Sequence, residues 1–230
     1  MYGKSKLKFT REKVQCVDYG FDFYAAQTME TEDGRSILIA WMQSGDNLMY
    51  PDTQRYSGMM TIPRELSIKE GRICQLPVRE IENYRSNVIR YDNVCIHEET
   101  ELKGISGRSI DLQIALKGNE YGKFIIKLAV DEKHYSEVIY DMDEKTLTFD
   151  RIHSGFKKDT ISTRSMYVSD KKDVINLRIL VDRFSVEIFV NDGEQVMTSL
   201  IYTPLDASGI SFASNGKAYL DVIKYDIEVE

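Results

Sequence analysis

The chain has 230 residues, 42% hydrophobic and 29% charged, which is material for one large or two small domains with a buried core. A net charge of -7, with Lys and Arg interleaved among Asp and Glu, excludes the basic face that nucleic-acid phosphates require. No apolar run is long enough for a membrane helix, and the polar, basic stretch from Met1 to Thr10 lacks the apolar segment of a secretory leader, so a cytoplasmic protein is expected.

Along the chain, Asp18-Tyr19-Gly20-Phe21-Asp22-Phe23-Tyr24 crowds acids and aromatics together ahead of a short apolar strand from Ser36 to Met42. Next comes Met60-Thr61-Ile62-Pro63-Arg64-Glu65-Leu66. From Pro77 to Arg85 the spacing of Val78, Ile81, Tyr84 and Arg85, after a proline suited to a first turn, predicts a short connector helix. Beyond it, alternating apolar and polar residues predict antiparallel strands from Ser109 to Leu116, Phe124 to Val130, Glu137 to Tyr140, Val174 to Val181 and Ser185 to Val190. Asp182-Arg183 and Asn191-Asp192-Gly193-Glu194 mark tight turns, and Asp131-Glu132-Lys133 and Lys171-Lys172-Asp173 read as loops.

Cys16, Cys74 and Cys95 fit no zinc spacing and cannot all pair, which predicts buried free thiols in a reducing compartment. His97, His134 and His153 have no ligand-like spacing, so neither a metal nor a cofactor is expected.

Five segments, in order, resemble glycoside hydrolase family 32, the invertases, sucrose-6-phosphate hydrolases, inulinases and levanases. DYGFDFYAAQT (residues 18–28) is similar to the family's D-x-G-x-D-F-Y-A-x-Q, ILIAWM (37–42) to I-L-I-G-W-M, and MTIPREL (60–66) to M-T-L-P-R-E-L. GRICQLPVREIENYR (71–85) resembles the linker G-x-L-x-Q-x-P-V-x-E, and LRILVDRFSVEIFVNDGEQVMTSLIY (177–202) a late L-R-I-F-V-D-x-S-S-V-E-V-F-x-N-D-G-E. The resemblance implies an all-β fold: the final part of a five-bladed β-propeller (residues 1–76), a linker helix (77–85) and a C-terminal β-sandwich (86–230). By this reading the chain holds only the C-terminal portion of such an enzyme.

Retaining glycoside hydrolysis needs two carboxyl groups about 5–5.5 Å apart. In the resembled family these lie in W-M-N-D-P-N-G and E-C-P segments, with a transition-state-stabilising Asp in R-D-P. The four prolines here follow Tyr50, Ile62, Leu76 and Thr203, and the cysteines follow Gln15, Ile73 and Val94, so no Asp-Pro or Glu-Cys exists. No catalytic residue carries over, and the chain is expected to be inactive alone, its chemistry lying upstream.

The resemblance leaves Asp18, Tyr19, Asp22, Tyr24 and Trp41 as candidate substrate-binding residues on a pocket rim. Carboxylates there would accept from sugar hydroxyls, and aromatic rings would face sugar C–H groups. The bland alternatives are that Asp22 and Gln27 satisfy turn backbone, that Phe23, Tyr24 and Trp41 fill a core, that Arg64 and Glu65 form a strand-end salt bridge, and that Asp182, Arg183, Glu187 and Asn191 serve turns and solvated faces. The family often carries a second aromatic soon after the tryptophan, where this chain has Gly45. The implied partners are sucrose, sucrose-6-phosphate or a fructan, and a missing N-terminal propeller half. Unpaired strand edges predict a homo-oligomer. A non-catalytic carbohydrate-binding module and a structural or oligomerising sandwich are the competing functions.

Overall fold

The structure, a computed structural model, describes residues 14–42, 58–155, 161–168 and 174–229. Lys171-Lys172-Asp173 and Gly45 lie outside the described residues. Among the described residues, no helix is long and apolar enough to cross a membrane.

The chain is all-β. Four strands, β1 (Tyr24–Glu30), β2 (Ser36–Trp41), β3 (Arg64–Lys69) and β4 (Arg72–Pro77), form one antiparallel sheet in chain order. A 3-10 helix, Arg79–Tyr84, then leads straight into β5 (Arg85–Ile96). The predicted connector is therefore helical but tighter than an α-helix. Of the residues whose spacing predicted it, Ile81 packs against the cluster of Leu180, Phe189 and Val196, while Tyr84 is exposed.

The later strands are β6 (Ile110–Glu120), β7 (Lys123–Val130), β8 (Ser136–Asp141), β9 (Thr146–Asp150), β10 (Thr163–Tyr167), β11 (Val174–Asp182), β12 (Ser185–Val190), β13 (Gln195–Leu200), β14 (Gly209–Ser214) and β15 (Lys217–Ile227). They build a five-stranded sheet, β10-β9-β8-β7-β14, and a six-stranded sheet, β13-β12-β11-β6-β15-β5. Alternate residues of each sheet, such as Phe124, Ile126 and Leu128 facing Leu112, Ile114 and Leu116, meet in one large buried cluster. Each predicted strand is present: Ser185–Val190 has the predicted bounds, the strand predicted over Ser36–Met42 ends at Trp41, that predicted over Ser109–Leu116 runs from Ile110 to Glu120, and the others extend by one residue at one or both ends.

In β12 the expected alternation fails. Ser185-Val186-Glu187-Ile188-Phe189-Val190 is buried throughout. Val186, Ile188 and Val190 point into the large core, whereas Leu180, Phe189 and Val196 form a second small cluster with Ile62 and Ile81 on the opposite face. Both faces are covered here because the four-stranded sheet docks on this end of the six-stranded one. The segment before β1 completes the contact, since Tyr19 N–H donates to Val196 O (2.8 Å) and Phe21 N–H to Thr198 O (2.9 Å) along the free edge of β13.

Cys74 is buried, while Cys16 and Cys95 are exposed. The expectation of buried thiols thus holds at Cys74 alone.

Candidate functional site

Arg64 opens β3 directly after Pro63, and its guanidinium is 0% exposed. Nε and Nη2 donate to Glu187 Oε2 (3.2 and 2.7 Å), and Nη1 donates to Asp18 Oδ2 (3.0 Å) and Gln75 Oε1 (3.1 Å). Nη2 also donates to Thr198 Oγ1. The rings of Phe23 and Phe189 lie 5.1 and 5.4 Å from the guanidinium carbon, and the planar cation suits such faces.

Asp18 has a side chain only 1% exposed. Its Oδ1 accepts from Gly20 N–H (2.8 Å) and Thr198 N–H (3.0 Å), and its Oδ2 accepts from Thr198 Oγ1 (2.6 Å) as well as from Arg64. Glu187, 2% exposed, accepts Ile62 N–H on Oε1 (2.7 Å). Burial pushes the Glu187 carboxyl above the usual carboxylate range; Arg64 pulls it down and the Asp18 charge pushes it further up. One cation shared by two buried acids leaves this direction in force.

Asp22 is 0% exposed, and its Oδ2 accepts Leu200 N–H (2.8 Å) and Arg151 Nη1 (2.6 Å). Arg151, just beyond β9, lies against the Phe21 ring at 4.0 Å. The two acids of the first motif therefore hold different places: Asp18 grips β13 and Arg64, Asp22 grips β13 and the end of the five-stranded sheet.

Glycines permit the approach. A Cβ on Gly20 would stand 2.0 Å from Thr198 O, and one on Gly193 would stand 1.9 Å from Gln75 O. The Asn191-Asp192-Gly193 turn has positive φ at all three residues, and Gly193 O accepts Gln75 N–H at 2.9 Å. The predicted turn is thus also the point where the β12–β13 hairpin meets β4.

The expected rim residues separate into two groups. Asp18 and Asp22 are not on a surface: their carboxylates are enclosed in ion pairs because β13 presents backbone donors and Arg64 and Arg151 supply the charge. Tyr19 is half-buried against the large core. Tyr24 and Trp41, by contrast, are 61% and 37% exposed. They are cross-strand partners on β1 and β2 with ring centroids 6.4 Å apart. A bulge between Tyr24 and Gln27 and the proximity of Gly58 to Trp41 Nε1 shape this end of the sheet. Exposure of Tyr24 and Trp41 overturns the core-filling alternative for both.

The expected Arg64–Glu65 pair is absent as such, because Arg64 turns inward and Glu65 accepts from Arg35 instead (3.4 Å). The solvated-face reading of Glu187 also fails, whereas Asn191 serves the turn as expected, although it is buried. Sequence reasoning missed Glu187, Gln75, Thr198 and Arg151 as members of these clusters. The available signal was a lone acid inside Ser185-Val186-Glu187-Ile188-Phe189-Val190, an apolar strand where a charge demands a partner.

Residues 80–229 match the model described as "Glycosyl hydrolases family 32 C terminal", and residues 1–77 match "Glycosyl hydrolases family 32 N-terminal domain". The second match corrects the expectation of a C-terminal portion only, since the chain holds parts of both family domains. A sucrose-6-phosphate hydrolase of Staphylococcus xylosus is 36% identical over 99% of this chain and 46% of its own length. The solved sucrose-6-phosphate hydrolase of Lactobacillus gasseri superposes with a TM-score of 0.79 at 27% identity, covering 92% of this chain and 42% of that one. The exo-inulinase of Aspergillus awamori has the same fold, with a TM-score of 0.80 at 23% identity, covering 92% and 44%. The chain spans less than half the length of these relatives. With both family models matched in order across the interlock that Arg64 and Glu187 hold together, the chain belongs to glycosyl hydrolase family 32.

Proposed function

We propose that this chain is the docking and rim-bearing part of a retaining β-fructosidase, acting on sucrose, sucrose-6-phosphate or a fructan, and that it lacks hydrolytic activity by itself. The observation that carries the reading is the engagement of both candidate acids. Asp18 is held by Arg64 and Thr198, and Asp22 by Arg151 and Leu200 N–H on its Oδ2; both carboxylates are enclosed, so neither is presented to a substrate as nucleophile or proton donor. In this reading residues 1–76 are the last part of a five-bladed propeller, 77–85 the linker and 86–230 the β-sandwich. The aromatic pair Tyr24 and Trp41 borders the sugar, and the catalytic carboxylates come from a preceding propeller half.

The test is release of fructose from sucrose, sucrose-6-phosphate and inulin by the purified chain, alone and mixed with the N-terminal half of a relative. The expected result is no release alone and release on mixing. Release by the chain alone that Asp18→Asn abolishes would overturn the reading.

A second reading, association with further copies, is favoured by one feature. Strand β1 is an edge of its sheet, with Met29 exposed along it and Tyr24, Trp41 and Met60 exposed at its end. Light scattering across micromolar concentrations tests it, and a monomer throughout would remove it.

A further inference from the structure

The six-stranded sheet is covered by the four-stranded sheet only at its β12–β13 end. Next to that contact its outer face forms a groove of about 440 Å³, within the range of about 300–1,000 Å³ usual for small-molecule sites. One wall comes from Leu76 of β4 and the Asp192–Gly193 turn, and the floor comes from β15, β6 and β11. Strands β4 and β1 are opposite edges of their sheet, so the groove lies away from Tyr24 and Trp41.

The floor is built by strand register. Arg90, Ile223, Gln113 and Arg178 stand in one cross-strand row over β5, β15, β6 and β11, and Asn176 stands diagonally from Gln113, opposite Ala115. Arg178 is committed, since its Nε and Nη2 donate to Asp111 (3.1 and 2.7 Å). The amides of Gln113 and Asn176 are not: both are half-buried, and neither side chain has a hydrogen-bond partner among the described residues. Exposed Arg90, Asp92 and Asp192 around them likewise have no such partner.

We infer that this groove is a second, non-catalytic carbohydrate site that holds a neutral oligosaccharide. Each amide offers both donors and an acceptor, which is what a hydroxyl-rich ligand needs. Ala115, Ile223 and Leu76 supply small apolar patches for sugar C–H surfaces. The charges decide against the alternatives. Asp221 is matched by Lys117 and Arg178 by Asp111, which leaves the acids Asp92 and Asp192 against the single cation Arg90 among the described lining residues, so an anion such as a sugar phosphate is repelled. A peptide strand would require a sheet edge, and this is a sheet face whose backbone bonds are already made. The site does not depend on the hydrolytic reading, because it needs no catalytic carboxylate.

The experiment is calorimetric titration of the full chain with 1-kestose, repeated with sucrose-6-phosphate. The double change Gln113→Ala and Asn176→Ala is compared with Arg90→Ala and with Trp41→Ala, each first shown to melt as the parent does. If the double variant does not melt as the parent, the exposed Arg90→Ala change decides in its place. Weakening of 1-kestose binding by roughly tenfold in the deciding groove variant supports the site, whatever Trp41→Ala does. Absence of 1-kestose binding, binding untouched by the deciding groove variant, or tighter binding of sucrose-6-phosphate in the groove overturns it. Fructose release is not a readout here, so failure of this site and failure of the proposed hydrolytic role are separate results.

Discussion

Arg64 and Glu187 stand 123 positions apart in the chain and 2.7 Å apart in space, and neither side chain is exposed beyond 2%. Their pairing, with Asp18 as third member, joins the four-stranded sheet to the six-stranded one. Two acids share the one guanidinium, so the cluster carries an excess negative charge away from water. Backbone donors from Ile62 and Thr198 and the hydroxyl of Thr198 disperse it.

Removing the cation should therefore be costly. Arg64→Met leaves Asp18 and Glu187 buried without a counter-charge, and a loss of about 3–5 kcal/mol is expected in denaturant unfolding. A loss below about 1 kcal/mol, the scale of an exposed pair, would show that the cluster does not hold the sheets together.

The pH dependence has a defined sign. Burial raises the Glu187 carboxyl above its ordinary value of 4.5, so the folded chain binds this proton more tightly than the unfolded chain does. Its contribution to stability is full below that ordinary value and is lost as pH rises through the raised folded value. Glu187→Gln lacks this loss while keeping an acceptor for Ile62 N–H and a one-to-one pair between Arg64 and Asp18. The variant should gain on the parent as pH is raised from 4.5 toward neutrality. Acids held low by partners, such as Asp141 and Asp221, have the opposite sign, and they cancel in the comparison. A difference that stays flat with pH would contradict the assignment.

Gly193 and Gly34 both have φ of +80°, but a Cβ at Gly34 meets nothing within 4 Å while one at Gly193 would collide with Gln75 O. Gly34→Ala should cost only the backbone strain of about 1–2 kcal/mol. Gly193→Ala should cost clearly more and should open residues 14–77 to limited proteolysis. Equal costs would mean that the hairpin turn and β4 are not packed as closely as described.

Trp41 is the chain's only tryptophan and is paired with Tyr24, so its emission reports directly on the proposed rim. Saturating sucrose or 1-kestose should quench or shift that emission, and Tyr24→Ala should weaken the response. Unchanged fluorescence at concentrations where calorimetry detects binding would remove Tyr24 and Trp41 from the sugar-contacting surface.

Period-two alternation in segments such as Ile110 to Leu116 and Val174 to Val181 was legible because one face of each strand meets core and the other meets solvent or polar neighbours. Four of the five ordered motifs that disclosed the family also hold the residues of the interface, Asp18, Arg64, Gln75, Glu187 and Thr198, which satisfy one another's charges and hydrogen bonds. What they disclosed about chemistry was weaker. A carboxylate in Asp18-Tyr19-Gly20-Phe21-Asp22 reads the same whether it faces a sugar or an arginine, since both satisfy it with donors.

The sequence by itself determined an all-β chain, its turns, its family and the lack of Asp-Pro and Glu-Cys, because these depend on local pattern and residue order. Only the tertiary structure decided that Asp18 and Asp22 are enclosed, that Glu187 is buried and that Tyr24 and Trp41 stand open. The first three outcomes depend on contacts made across more than a hundred residues of chain, and the last on how β1, at the edge of its sheet among the described residues, pairs with β2, and neither is written in any local pattern.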